Sequence, residues 1–280
     1  MSSGVPTIGF LVGTTYDAWR DYVRAFENQL GTYRWKKGTN FNIEYQVASG
    51  LADLYDAIAA DFANPKRSTP INVIVTGGTG PTVACIKATE TIPIVFATAA
   101  NGAALVASAS GNVTGISNEQ TAHVAHRLQH MQANLPTLGR NFRVGPIGNT
   151  NAANVQDEMK EVQKQAAKLG LKFYQSTMAL QTVDHIHPVM QDLKTNGVQA
   201  LFVCTDPLIT SNADILNEWA VIENLPTMHH FRKNFGQRGT LFWGPKLEDM
   251  FSRAADFVHT ILHDNTLPGV ETAKSFEHHP

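Results

Sequence analysis

The chain has 280 residues, a formal net charge of −2, 43% hydrophobic residues and 16% charged ones. That balance is that of a soluble globular protein with room for two lobes of ordinary size, and it offers no basic field for nucleic acid or acidic lipid. No apolar run reaches membrane-spanning length, and no block of like charge occurs. The opening Met1-Ser2-Ser3-Gly4 has neither a charged n-region nor an apolar h-region. The chain is therefore expected in the cytoplasm, or outside it with a leader already removed.

Thr7 to Val12 reads as a first strand. Gly13 to Tyr16 forms the turn into an amphipathic helix, Asp17 to about Leu30, with Tyr22, Val23, Phe26 and Leu30 on one face. Phe41 to Val47 is a second strand and Leu51 to Phe62 a second helix. The stretch Ile71 to Thr82, I-N-V-I-V-T-G-G-T-G-P-T, is the most informative. Its β-branched run is a buried strand that ends in glycines, and a helix is expected from Pro81, where a missing N–H costs nothing. Glycines allow close approach of a ligand, and first-turn N–H groups suit a carboxylate; a plain tight turn reads equally well. No Gly-Lys-Ser/Thr follows, so this is not a Walker loop.

Ile92 to Phe96 is a fourth strand, with Ala97 to Gly102 as its outgoing loop. Gly111 to Ser117 reads as an extended connector at the first crossing between lobes. The pattern then restarts: helix Thr121 to Leu135, strand Phe142 to Ile147, helix from Asn151 or Ala152 to Leu169, strand Leu171 to Gln175, helix His187 to Thr195, strand Ala200 to Cys204, helix Ile209 to Glu223, strand Thr227 to Phe231. A late strand, Thr240 to Trp243, and a last helix, Leu247 to His263, complete the alternation. Repeated β-α units imply a parallel, doubly wound sheet in each half. Cys85, on a predicted helix, and Cys204, on a predicted strand, read as buried apolar fillers.

Several segments in order are similar to one family: I-G-F-L near the start, N-I-E-Y-Q-V-A-S-G at Asn42 to Gly50, V-I-V-T-G-G-T-G, A-T-E-T-I-P-I-V-F-A at Ala88 to Ala97, and G-A-A-L-V-A-S-A-S-G-N-V-T-G-I-S at Gly102 to Ser117. Asp206-Pro207-Leu208 and Trp243-Gly244-Pro245 follow in register. From Thr7 to about Pro268 the chain resembles the substrate-binding proteins of ABC transporters of the tryptophan/tyrosine type. The resemblance implies a type I periplasmic-binding fold: two doubly wound α/β lobes with a ligand cleft between them. Lobe one would be residues 1–117 plus 240–280, and lobe two 118–239. It also implies a permease partner, a monomer, a location in the periplasm or otherwise outside the cytoplasm, and neither catalysis nor a cofactor. Where the family usually has Gly-Asp-Pro, this chain has Ala100-Asn101-Gly102. The family's final strand is also hard to see in Val270 to Pro280.

An amino-acid-like ligand needs a carboxylate cradle, an anion for its ammonium and a shaped apolar wall. Gly78, Thr79, Ala97 and Thr98 are the expected cradle, with Asn101 beside it. Asp206 is the expected ammonium partner, and a turn or cap aspartate before proline is the competing reading. Asn149 stands in a similar position. Thr14, Thr15, Tyr16 and Trp243 are candidates for the wall. Among the eleven histidines, His123, His126 and His130 share a helical face, but no cysteine or carboxylate completes a metal site. The leading expectation is a receptor that closes on a small molecule, an amino acid or aromatic carboxylate. The alternative is a cytoplasmic ligand-sensing regulator of the same fold. An enzyme comes third, since no G-x-S-x-G or H-E-x-x-H motif is present.

Overall fold

The computed structural model describes residues 4–232 and 240–279. The Met1-Ser2-Ser3 start and the expected lobe boundary at Gly239 lie outside the described residues. Chain contacts divide the molecule into two compact units, one of residues 1–119 and 247–274, the other of residues 120–246 and 275–280.

The first unit opens with β1 (Thr7–Val12), α1 (Tyr16–Thr32), β2 (Asn42–Val47), α2 (Asp53–Ala63), β3 (Val73–Gly77), α3 (Thr79–Ala88), β4 (Ile94–Ala99), α4 (Gly102–Ala107) and β5 (Val113–Ser117). The second unit follows with α5 (Val124–Asn134), β6 (Arg143–Ile147), α6 (Ala153–Lys168), β7 (Lys172–Phe173), α7 (Ile186–Thr195), β8 (Ala200–Val203), α8 (Pro207–Ser211), α9 (Ala213–Ile222), β9 (Thr227–His229) and β10 (Thr240–Pro245). The chain then returns to the first unit for α10 (Leu247–Asp264) and β11 (Glu271–Thr272), and ends in the second with β12 (Phe276–His279).

The first sheet has the order β11-β5-β4-β3-β1-β2, with every pair parallel. The second has the order β12-β10-β9-β8-β6-β7, parallel except for β12 on β10. Strands β1, β3, β4 and β5 are buried along their whole length, as parallel strands covered on both faces must be. Phe10 of β1 meets Phe26 of α1 edge-on at 5.3 Å and stacks with Phe251 of α10 at 6.3 Å. The opposite face of that sheet, with Ile74 and Phe96, packs against Tyr55, Ala59 and Phe62 of α2 and Ala84 and Cys85 of α3. In the second unit, Phe202 and Met228 face the apolar stripes of α5 and α6, while Leu201 and Val203 face α7 and α9.

The alternation read from the sequence holds, with specific corrections. Gly111 to Ser117 is not a mere connector: β5 is a buried strand in register with β4, Ile94 opposite Val113. Gly115, at φ +149°, is what disguises it, because a side chain there would run into the Phe96 carbonyl. Ala97 and Thr98 belong to β4 rather than to its outgoing loop, and α4 follows where no helix is expected. Helix α3 begins at Thr79, so Pro81 lies within its first turn. The expected helix from Ile209 to Glu223 is two, divided at Asn212. Strand β10 pairs with β9, not with the first sheet, so residues 240–246 belong to the second unit. The tail also contains the strand that is hard to see in the sequence: Phe276–His279 runs antiparallel to β10, and those residues join the second unit too.

Candidate functional site

Both sheets reverse their winding at one place. In the first, β1 lies between β2 and β3; in the second, β6 lies between β7 and β8. Loops leaving such neighbouring strands diverge to opposite faces and open a crevice at the carboxyl edge, which is where α/β sheets take their ligands.

In the first unit the paired ends are Val12 and Gly77, in register across β1 and β3. Gly13 donates its N–H to Gly77 at 3.4 Å and accepts from Gly50 at 2.7 Å, which fixes the turn bearing Thr14, Thr15 and Tyr16. Thr15 caps α1 by accepting from the Ala18 N–H at 3.3 Å. Thr14 is buried and its hydroxyl donates to the Thr15 carbonyl at 3.3 Å; Tyr16 is 41% exposed beside Tyr45. Gly78 sits at φ +112°, a conformation that favours glycine, and its N–H donates to the Thr98 carbonyl at 2.8 Å. Thr79 then opens α3, and its hydroxyl accepts from the Ala100 N–H at 2.9 Å. That hydroxyl keeps its own proton to donate, next to first-turn N–H groups with no partner inside the helix.

Thr98 is buried and accepts from the Asn118 side chain at 3.1 Å. Asn101 stands in the left-handed region at φ +52°, ahead of α4, and its side chain caps nothing. Ala97 has no exposed surface. It lies within β4.

In the second unit the paired ends are Ile147 and Val203. Asp206, 3% exposed, joins the two turns: one carboxylate oxygen accepts from the Asn149 N–H at 3.1 Å, the other caps α8 by accepting from Ile209 at 3.1 Å. Burial pushes this carboxyl up from 3.8 to about 6, against the pull of those N–H groups. The capping reading of Asp206 is thus realised; each oxygen retains a lone pair for a further donor. The Asn149 side chain accepts from the Asn151 N–H at 3.0 Å and shapes the same turn.

Trp243 stands near the end of β10. It packs on the face of the second sheet that carries α5, stacked on His126 at 5.2 Å and on Phe276 at 5.2 Å, with His123 edge-on at 5.1 Å. Its neighbour Gly244 has no space for a side chain, since the His230 carbonyl oxygen lies 1.7 Å from where a Cβ would be. Of the histidines expected on one helical face, His123 and His126 are accordingly part of this aromatic cluster, and His130 lies beside His278 at 5.6 Å. No group of three metal-ligating side chains occurs among the described residues.

The sequence reading misses a charged pair behind the second edge. Arg127 of α5 and Glu158 of α6 are both fully buried and meet at 2.5 Å. Arg127 also donates to the Val203 and Met228 carbonyls at 2.6 and 3.1 Å and lies 3.8 Å over the Phe202 ring. Glu158 accepts from Gln120 and from the Thr205 N–H, each at 2.9 Å. Burial drives Glu158 up and Arg127 down, and the direct contact between them opposes both shifts. Beside them His229 is pushed down to about 3 by burial, so its ring is neutral and bonds Asn217 through Nε2 at 2.9 Å.

Residues 8–276 match the family model described as ABC transporter substrate binding protein. No curated protein sequence matches the chain. Among solved structures, a conserved domain protein from Vibrio cholerae superposes with a TM-score of 0.83 at 21% identity, covering 98% of this chain and 91% of that one. An ABC domain in complex with L-Trp from Streptococcus pneumonia gives 0.82 at 15% identity, covering 97% and 91%. The transcription regulator CcpA of Lactococcus lactis gives 0.68 at 9% identity, covering 99% and 98%. At these identities the likenesses establish the fold, two α/β lobes of the periplasmic-binding kind. The family match spans nearly the whole chain, and the chain belongs to the substrate-binding proteins of ABC transporters.

Proposed function

We propose that this solute-binding protein takes an amino acid or a related aromatic carboxylate and presents it to the permease of an importer. The observation that carries the reading is the unequal chemistry of the two carboxyl edges. Gly78, Thr79 and the start of α3 form a neutral, donor-rich edge suited to a carboxylate. The edge at Asn149 and Asp206 holds a buried carboxylate suited to an ammonium group. Tyr16, with Thr14 and Thr15, would supply the wall, and Trp243 has no part in it. The L-Trp complex of the Streptococcus pneumonia protein supports a ligand of this class.

Binding would stabilise a closed arrangement by a hinge at the segments where the chain passes from one unit to the other, around residues 119–120, 246–247 and 274–275. Such a receptor works as a monomer outside the cytoplasm and needs no catalysis. Its fold is also that of ligand-sensing regulators, as the likeness to CcpA illustrates; the family match favours transport. The test is native mass spectrometry before and after mild denaturation, then thermal shift against amino acids and aromatic acids. Stoichiometric release of a small carboxylate whose re-addition raises the melting temperature is the expected result. A protein that carries nothing and responds to none of these compounds contradicts the proposed ligand class.

A further inference from the structure

The backbone of Thr205 is gripped from both sides by one helix. Asn154 and Glu158 lie four residues apart on α6 and so share a face. Glu158 accepts the Thr205 N–H at 2.9 Å, and the Asn154 side chain donates to the Thr205 carbonyl at 3.1 Å. The residue before is fixed by the sheet, Cys204 donating to the Ile147 carbonyl at 2.9 Å, and the residue after is Asp206, which caps α8. Arg127 completes the device from α5. It supplies the counter-charge to Glu158 and bonds the carbonyls of Val203 and Met228 near the ends of β8 and β9.

A fully buried ion pair is a poor source of stability, because an apolar pair of similar volume usually serves the fold as well. What it supplies here is direction: fixed donors and acceptors on backbone atoms that a hydrocarbon core cannot hold. The Thr205 hydroxyl is itself buried and has no hydrogen-bond partner among the described residues, an uncommon condition for a group next to a candidate ligand-binding carboxylate.

We infer that Asn154, Glu158 and Arg127 are positioning residues, which hold the Thr205–Asp206 turn in the geometry that receives the ligand. This rests on the reading of that turn as part of the binding edge. Loss of the grip lets Asp206 drift within its cap and weakens ligand binding more than folding.

The test uses the full chain with Asn154→Ala, Asn154→Leu and the double variant Arg127→Met/Glu158→Met. Asn154→Leu nearly keeps the size of the side chain and removes the donor without adding charge, so packing and hydrogen bonding separate. Three quantities are read: affinity for L-tryptophan, hydrogen exchange of the Thr205 amide relative to amides of β6, and the carboxyl titration of Asp206 by NMR. Both Asn154 variants should lose affinity by ~10-fold or more, the order expected when a binding group is misplaced by a fraction of an ångström to an ångström. They should also shift the Asp206 midpoint from about 6 and leave the exchange of β6 amides as in the parent protein. The double variant should add faster exchange at Thr205. Unchanged Asp206 titration and unchanged Thr205 exchange in folded variants overturn the inference. If the parent protein binds neither L-tryptophan nor any other amino acid, the proposed ligand class fails, while titration and exchange still decide whether the grip exists.

Discussion

The two carboxyl edges share a winding and differ in how they are held. At the first, Gly13, Gly77, Gly78 and Thr79 are fixed by neutral bonds: Thr76 to Thr82 at 2.7 Å, Thr82 to the Gly78 carbonyl at 2.7 Å, Thr79 to the Ala100 N–H at 2.9 Å. At the second, a buried Arg127–Glu158 pair and a buried Asp206 do the same work with charge. A neutral edge leaves the field to the α3 N-terminus, which favours an anion. A charged edge can present one unpaired carboxylate toward a cation because its other charges are internally neutralised. On the proposed reading the ligand is an amino acid that would use both, its carboxylate at the first edge and its ammonium group at the second.

The largest effect that distinguishes the edges should come from Arg127→Met. It strands the Glu158 charge in the core and should cost about 3–5 kcal/mol in urea unfolding. Thr82→Val at the corresponding place in the first unit removes two neutral hydrogen bonds, to Thr76 and to the Gly78 carbonyl, and should cost less, about 1–3 kcal/mol. Equal losses would mean that the two edges are held alike.

Gly77→Ala comes next. A Cβ there would lie 2.6 Å from the Trp19 ring, and displacement of that packed indole should cost about 1–3 kcal/mol. Thr79→Val leaves the buried Ala100 N–H without its acceptor. It should destabilise by about 1–3 kcal/mol and weaken carboxylate binding, with Thr79→Ser restoring both. A Thr79→Val protein that keeps wild-type affinity would remove this hydroxyl from the cradle.

The pH dependence should arise at the second edge. Asp206 is raised from 3.8 to about 6, so folding favours its protonated form relative to the unfolded chain. Its contribution to stability therefore falls as pH rises from 3.8 to about 6, and is constant above that. An ammonium ligand needs the ionised carboxylate, so affinity should drop below that midpoint by up to ~10-fold per pH unit, as calorimetry can show. A pH-independent affinity from 5 to 8 would exclude Asp206 as the ammonium partner, with those limits set at roughly one to two units on either side of the midpoint.

Trp243→Phe should have the smallest effect. The substitution preserves stacking on His126 and Phe276. It should change stability by less than ~1.5 kcal/mol and ligand affinity not at all. A marked fall in affinity would return Trp243 to the pocket wall.

Local pattern was enough for the alternation of strands and helices, and for placing Thr14–Tyr16, Gly78–Thr79, Asn149 and Asp206 after strands. Those features depend on residues near in sequence. Assignment of β10 and β12 to the second sheet is a choice between distant partners, which no period in Thr240–Pro245 or Phe276–His279 encodes. Asp206-Pro207 fits a cap and a binding residue alike; the cap is what the structure shows, and the binding role belongs to the proposal. Arg127 and Glu158 did leave a trace. Each falls within an apolar helical stripe, beside Val124, Leu128 and Met131 or beside Val155, Met159 and Val162. A charge at such a position calls for a buried partner, but the sequence does not say which one.

The most direct measurement is calorimetry with L-phenylalanine, its deaminated acid 3-phenylpropionate and its decarboxylated amine phenethylamine, on the parent protein, Thr79→Val and Asp206→Asn. The two-pole account predicts that the amino acid binds the parent best. Asp206→Asn should then lose the preference for amino acid over acid, and Thr79→Val the preference for amino acid over amine. Equal binding of all three compounds by the parent protein, or identical losses in both variants, would contradict it.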